Sequence, residues 1–132
     1  MEVPFDLVPA LADWLTDNGH AAVPWPLPDD FQGSLPLTCL RDSGGSRTWP
    51  VIDRHRIGVD VYGTDAVEAM AEAREVFALL DEINTTHPAI GGVQAYGVAF
   101  GGLPQPQTDP EHMDAPMATF LAEVSMRSVN QG

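Results

Sequence analysis

The sequence predicts an α+β fold: a mostly antiparallel sheet of four to five strands with two helices, in the order α-β-β-α-β-β. Three observations predict it. Two segments repeat apolar residues at three- and four-residue steps, two alternating runs flank a Ser-Gly-Gly-Ser break, and a further alternating run lies near the C-terminus. The 132 residues, 44% of them hydrophobic, fit a single α+β domain over 1–132, since a chain of this length buries one core and does not divide into two.

From Phe5 to Asn18, residues Leu7, Val8, Leu11, Trp14 and Leu15 share one helical face, Asp6 is placed as N-cap, Pro9 is tolerated in the first turn, and Gly19 supplies the stop. The connector HAAVPWPLPDDFQGS is extended because Pro24, Pro26 and Pro28 forbid helix. Trp25 and Phe31 are expected to pin it to the body, with an exposed recognition role for Trp25 as the alternative. Leu35 to Arg41 reads as a short strand, with Ser43 to Ser46 as its turn and Thr48 to Tyr62 as the returning strand. On that return, Val51, His55, Ile57, Val59 and Val61 fall on one face, and Arg54, Arg56, Gly58 and Asp60 on the other.

Asp65 with Glu68 three residues on forms a capping box for the second helix. Its core stripe is Ala66, Ala69, Met70, Ala73, Val76, Phe77, Leu80 and Ile83, and Asn84 and Pro88 bracket its end. A Gly-rich strand is expected from about Ile90 to Phe100 and a final strand from Pro116 to Val129, which points Phe120, Ala122, Val124 and Met126 inward. Between them, 101–116 is a long Pro-rich loop without hydrophobic periodicity, a kind of segment that is usually functional or disordered.

Nineteen acidic residues against six Arg and no Lys give a formal charge of −13. Such a chain repels phosphate and anionic lipid, which excludes nucleic-acid binding and polybasic membrane attachment. The lone Cys39 offers no internal disulfide and is expected to be a small buried hydrophobe. The N-terminus lacks a signal-peptide pattern, and no apolar run reaches the ~20 residues of a membrane span, so the chain is expected to be soluble and unexported.

No nucleophile elbow, phosphate loop, dinucleotide fingerprint or His-Glu-x-x-His motif is present, and Schiff-base chemistry lacks its Lys. The histidines at 20, 55, 87 and 112 have no local metal-ligand spacing. His55 reads as a strand histidine. No catalytic, cofactor or metal residues are therefore assigned.

Two patterns point outward. Asp65, Glu68, Glu72, Glu75 and Glu82 lie off the apolar stripe of the second helix, either as a solvated face or as one that meets Arg side chains of another subunit. Arg54 and Arg56 are suitable donors, because a guanidinium clamps a carboxylate bidentately. The Gly-rich strand is apolar on both faces, with Val93, Ala95 and Ala99 opposing Tyr96, Val98 and Phe100. Either the fold covers both sides or a partner covers one, and oligomerisation is the more economical account.

The run RTWPVIDRHRIGVDVYGTDAVEAMAEAREVFALLDEI, a strand ending in D-V-Y-G followed by an acidic Ala-rich helix with an A-R-x-V-x-x-L centre, resembles the tail terminator proteins of long non-contractile-tailed bacteriophages, particularly those of high-GC actinobacteria. The resemblance is best over about residues 35 to 100, half of the chain. It implies a structural protein of the virion tail and neck, present in the host cytoplasm during assembly. Such a protein forms a hexameric ring on the tail tube, stops its polymerisation and offers a surface to the head-tail connector, while genomic DNA passes through the lumen unbound. No catalytic residues are carried over and no membrane is implied.

In such a ring Arg54 and Arg56 are assigned to one interface patch and Glu68, Glu72 and Glu75 to the other. Gln105, Gln107, Asp109, Glu111 and His112 are assigned to a loop that contacts the tube or neck protein. The competing expectations are another head-tail joining (neck or stopper) protein, or a small acidic binding or inhibitor protein. An enzyme, a metal hydrolase built on His55, would require bound metal.

Overall fold

The computed structural model describes residues 3–48, 52–112, 114–128 and 130–131. Val51 and Val129, assigned to strands above, and Met113 of the Pro-rich segment lie outside the described residues.

A two-residue strand, β1 (Val3–Pro4), precedes the first helix, α1 (Leu7–Asp17). Leu7, Val8, Leu11, Ala12 and Leu15 are buried and Trp14 lies half-buried at their margin. Asp6 stands at the N-cap with extended backbone, but its side chain makes no capping hydrogen bond. The stop follows the expected chemistry. Gly19 adopts φ +91°, and the N–H groups of Gly19 and His20 return to the carbonyls of Thr16 and Leu15 at 3.1 and 3.0 Å, the paired closure of a Schellman motif.

Among the described residues seven strands form one sheet: β2 (Ala22–Pro24), β3 (Leu37–Thr48), β4 (Ile52–Tyr62), β5 (Ala89–Ile90), β6 (Val93–Phe100), β7 (Gln105–Gln107) and β8 (Met117–Arg127). The spatial order is β2-β3-β4-β8-β6-β5, with β7 also on β8. A last strand, β9 (Asn130–Gln131), pairs with β1 apart from this sheet. The α+β class is as expected, but the sheet is larger than four to five strands and mixed, because β2 runs parallel to β3. The connector's prolines excluded helix without excluding a short edge strand.

Three expected boundaries move for identifiable reasons. The Ser43–Ser46 segment is not a turn. It is a bulge inside β3, where the register on β4 shifts between Asp42 and Gly45, and β3 continues to Thr48. Gly45 is required there, since a Cβ at that position would stand 2.0 Å from the Arg54 carbonyl oxygen.

The Gly-rich strand is a hairpin, β5 and β6, turned by Gly91 and Gly92 at φ +61° and +81°, a pair of signs that suits the right-handed twist. A second irregularity, between Ala95 and Gly97, shifts the alternation of β6. Val93 and Ala95 and then Val98 and Phe100 therefore all meet the core, while Ala99 and Tyr96 are exposed. The two-sided apolar pattern thus contains a phase change, which turns Val98 and Phe100 to the same core as Val93 and Ala95.

The second helix, α2 (Ala66–Asp81), opens on the expected box: Asp65 Oδ1 accepts the Glu68 N–H at 2.7 Å, and Glu68 Oε1 accepts the Thr64 N–H at 2.8 Å. Ala69, Ala73, Val76 and Leu80 are buried, whereas Ala66 is exposed. The stripe's last member, Ile83, belongs to a one-turn helix, α3 (Ile83–Thr86). Both long helices pack on one face of the sheet around Leu40, Ile57, Val59, Val61, Phe120, Val124 and Met126. Each fully buried aliphatic side chain there contributes about 1.5–3 kcal/mol. A second, smaller core of Phe31, Leu37, Cys39, Tyr62, Ala115 and Met117 lies apart from it.

Candidate functional site

The alternation of β4 sends Tyr62, Asp60, Gly58, Arg56 and Arg54 to the face away from the helices, opposite Met117, Thr119, Leu121, Glu123 and Ser125 of β8. At the Tyr62 end this second face is covered. Phe31, on a 3-10 turn (Phe31–Ser34), sets its ring 5.4 Å from Tyr62 and 5.1 Å from His112, edge to face. The Tyr62 hydroxyl donates to Asp109 Oδ2 at 2.7 Å, and His112 Nδ1 lies 2.8 Å from the same oxygen. Asp109 Oδ1 accepts the Glu111 N–H at 2.9 Å.

The segment 101–116 is therefore not structureless. Its β7 pairs with Met117–Thr119, and Asp109 anchors the rest. Gln105, Gln107 and Glu111 are exposed, whereas Asp109 and His112 are half-buried in these internal bonds.

Beside this cover, Asp60 is buried and holds three donors: Arg41 Nε at 2.7 Å, Arg41 Nη2 at 3.2 Å and the Thr119 hydroxyl at 2.8 Å. Asp60 lies on the face that the alternation gives it, as a buried ion-pair centre. A cleft of about 540 Å³ opens between the two networks, lined by Trp25, Arg41, Asp60, Tyr62, Asp109 and His112 among others. Trp25, expected to pin the connector, stands 64% exposed at its rim. Phe31 alone of the two aromatics is an anchor.

Burial, then the nearby Asp60 charge, pushes the Cys39 thiol up to about 11. Burial and the bond to Asp109 raise Tyr62 as well. Both possible nucleophiles are thus held protonated near neutral pH. Burial alone would raise Asp109, but the bonds from Tyr62, His112 and the Glu111 N–H bring it below the ordinary carboxylate value. The Asp60 hydrogen bond raises Arg41. The cleft offers fixed charges and hydrogen-bonding groups suited to recognition.

The other half of the same face is polar. Arg54 and Arg56 stand there with Ser125 and Arg127, and Arg56 Nη2 lies 3.7 Å from Glu123 Oε2. Towards the helices, His55 turns to the side of Asp53, as the alternation predicts. Its Nε2 is buried without a hydrogen-bond partner among the described residues, and desolvation lowers its pKa. Asp53 is buried and receives both a two-pronged Arg47 bond, with Nη2 to Oδ2 at 2.8 Å, and the Ser128 hydroxyl at 3.0 Å. The Arg47 bond leads in lowering its pKa. No sequence signal marked the Arg41–Asp60 and Arg47–Asp53 pairs, because each depends on strand register.

The five interface residues do not meet within the chain. Glu68, Glu72 and Glu75 lie on α2, across the sheet from Arg54 and Arg56. Glu68 serves the capping box, and Glu72 Oε2 lies 2.9 Å from His20 Nδ1. Glu75 is exposed. His20, Glu72 and Glu75 bring one ligand atom each to within 4.8 Å of one another, a set that spacing along the chain did not reveal. Among the described residues no helix is long and apolar enough to cross a membrane. Compared with known proteins, the chain matches no family model and no curated protein.

Proposed function

We propose that this chain is a structural ring subunit, the tail terminator of a long non-contractile phage tail. It caps the tube, stops its growth and offers its upper surface to the head-tail connector. The observation that carries the reading is the separation of charge across one sheet. Arg41, Arg54, Arg56 and Arg127, four of the six Arg, share the second face with Asp60 and Glu123, while α2 presents Glu68, Glu72 and Glu75, with Arg74 among them, from the other side.

A closed ring needs unlike, complementary patches on the two flanks of each subunit, and opposed faces of one sheet supply them. Glu75, exposed, leads the anionic flank. Glu68 retains acceptor capacity beyond its capping bonds, and Glu72, largely buried behind His20, adds its charge. Of the five residues assigned to contact with the tube or neck protein, Gln105, Gln107 and Glu111 are exposed, and Asp109 and His112 anchor them. An acidic lumen lets genomic DNA slide without adhering. The ring is hexameric in this reading, and the protein resides in the virion tail or neck.

The experiment is sedimentation mass with negative-stain microscopy of the purified chain, alone and with tail tube protein. Closed rings are expected, and Arg54→Glu with Arg56→Glu should abolish them while the monomer stays folded. A chain that stays monomeric even with tube protein overturns the reading.

The exposed Trp25 at the cleft rim favours a second reading, a small acidic binding protein that forms a 1:1 complex through the cleft. Trp25→Ala would then lower affinity for that partner and leave ring assembly irrelevant.

A further inference from the structure

We infer that His20, Glu72 and Glu75 form a binding site for one transition-metal dication of the Zn²⁺ class, which ties the end of α1 to α2. The inference goes beyond the ring reading, does not rest on it, and competes with it for the charges of Glu72 and Glu75. Its first support is the placement of the donors. His20 is the residue whose N–H closes α1 on the Leu15 carbonyl at 3.0 Å, so its backbone is held by the helix terminus. Glu72 and Glu75 are one turn apart on the 16-residue α2, and residues three apart lie on the same helix face.

The second support is the state of Glu72. Its side chain is only 11% exposed and that of His20 19%, and the carboxylate's hydrogen-bond partner among the described residues is the imidazole nitrogen at 2.9 Å. A carboxylate has roughly four acceptor positions, and a largely buried one with a single imidazole contact is poorly compensated for lost water. A dication at this point neutralises Glu72 and relieves its repulsion from Glu68 and Glu75 on the same helix.

The donor set decides the class of ion. One imidazole and two carboxylates give mixed nitrogen and oxygen ligation, which suits Zn²⁺ and its neighbours, whereas Mg²⁺ and Ca²⁺ prefer all-oxygen shells. Tetrahedral Zn²⁺ with bonds of about 2.0–2.2 Å holds its ligand atoms roughly 3.3–3.6 Å apart. The three donor atoms lie within 4.8 Å of one another, so closing on the ion needs a side-chain shift of at most about 1.5 Å. Glu75, exposed on a flexible side chain, can make that shift. Water completes the coordination.

The test is titration of the chelator-stripped full chain with ZnCl₂, read by calorimetry and by thermal melting. One Zn²⁺ per chain is expected, with a Tm that rises with metal concentration, and MgCl₂ at the same concentration should have no such effect. Glu75→Gln, at an exposed position that leaves the fold intact, should weaken binding at least about tenfold, as should His20→Asn. His112→Asn should leave it unchanged. Absence of Zn²⁺ binding to the unaltered chain, equal binding by Glu75→Gln and His20→Asn, or equal binding of Mg²⁺ would each overturn the site.

Discussion

The two halves of the sheet's second face are built from the same strands, β3, β4 and β8, and yet they meet different surroundings. At one end Leu37, Tyr62 and Met117 form a row, and Phe31, Asp109, His112 and Ala115 pack against it. At the other end the equivalent rows hold Arg54, Arg56, Ser125 and Arg127 beside solvent. The two ends differ in strand geometry, since β3 is bulged between Asp42 and Gly45 towards the Arg54 end, and they differ in side-chain chemistry. Apolar rows recruit chain segments to exclude water, whereas a charged row such as Arg56 with Glu123 keeps contact with solvent because burying charge is costly.

The comparison can be broken most severely at Phe31. Phe31→Ala should cost about 3–5 kcal/mol, the usual loss for a buried aromatic, measured by urea unfolding, and should make the 101–116 segment susceptible to protease under native conditions. Asp60→Asn should cost about 2 kcal/mol, since it weakens charge-assisted bonds from Arg41. An unchanged urea midpoint would show that the pair is neutral to the fold.

Acid sharpens the contrast by acting on buried groups. His55 is depressed by burial. The unfolded chain therefore binds more protons there, and stability is full above the ordinary histidine pKa of about 6.5 and falls as pH drops towards the folded value. Asp53 is also depressed, chiefly by Arg47. Its contribution is full above the ordinary carboxylate value of about 3.9 and is lost as pH falls towards and through its folded value. Urea midpoints against pH should show both declines. His55→Gln should remove the upper one and Asp53→Asn should lessen the lower one.

The smallest effect on stability is expected on the open half. Arg54→Glu with Arg56→Glu should change the unfolding free energy, measured by urea unfolding, by no more than about 0.5 kcal/mol per site, while ring assembly is lost.

What was legible in the sequence was local. The capping box at Asp65–Glu68, the Gly19 stop, the apolar faces of both helices and the burial of Cys39 each depend on residues a few positions apart. The bulges were less legible, since Ser43–Ser46 and Gly97 read as a turn and as a plain strand residue when no partner strand is in view. The candidate sites were least legible. Arg41 meets Asp60 nineteen residues away, and His20 meets Glu72 at a separation of 52.

The chain by itself thus determined its helices, its strand faces and its unbalanced charge, because period, capping and composition are properties of neighbouring residues. Tertiary structure alone decided the parallel β2, the packing of Asp109 and His112 against Tyr62, the exposure of Trp25 and the meeting of His20 with the α2 carboxylates. Each of these follows from register and from packing between distant segments, and no local pattern encodes which distant residue will stand opposite.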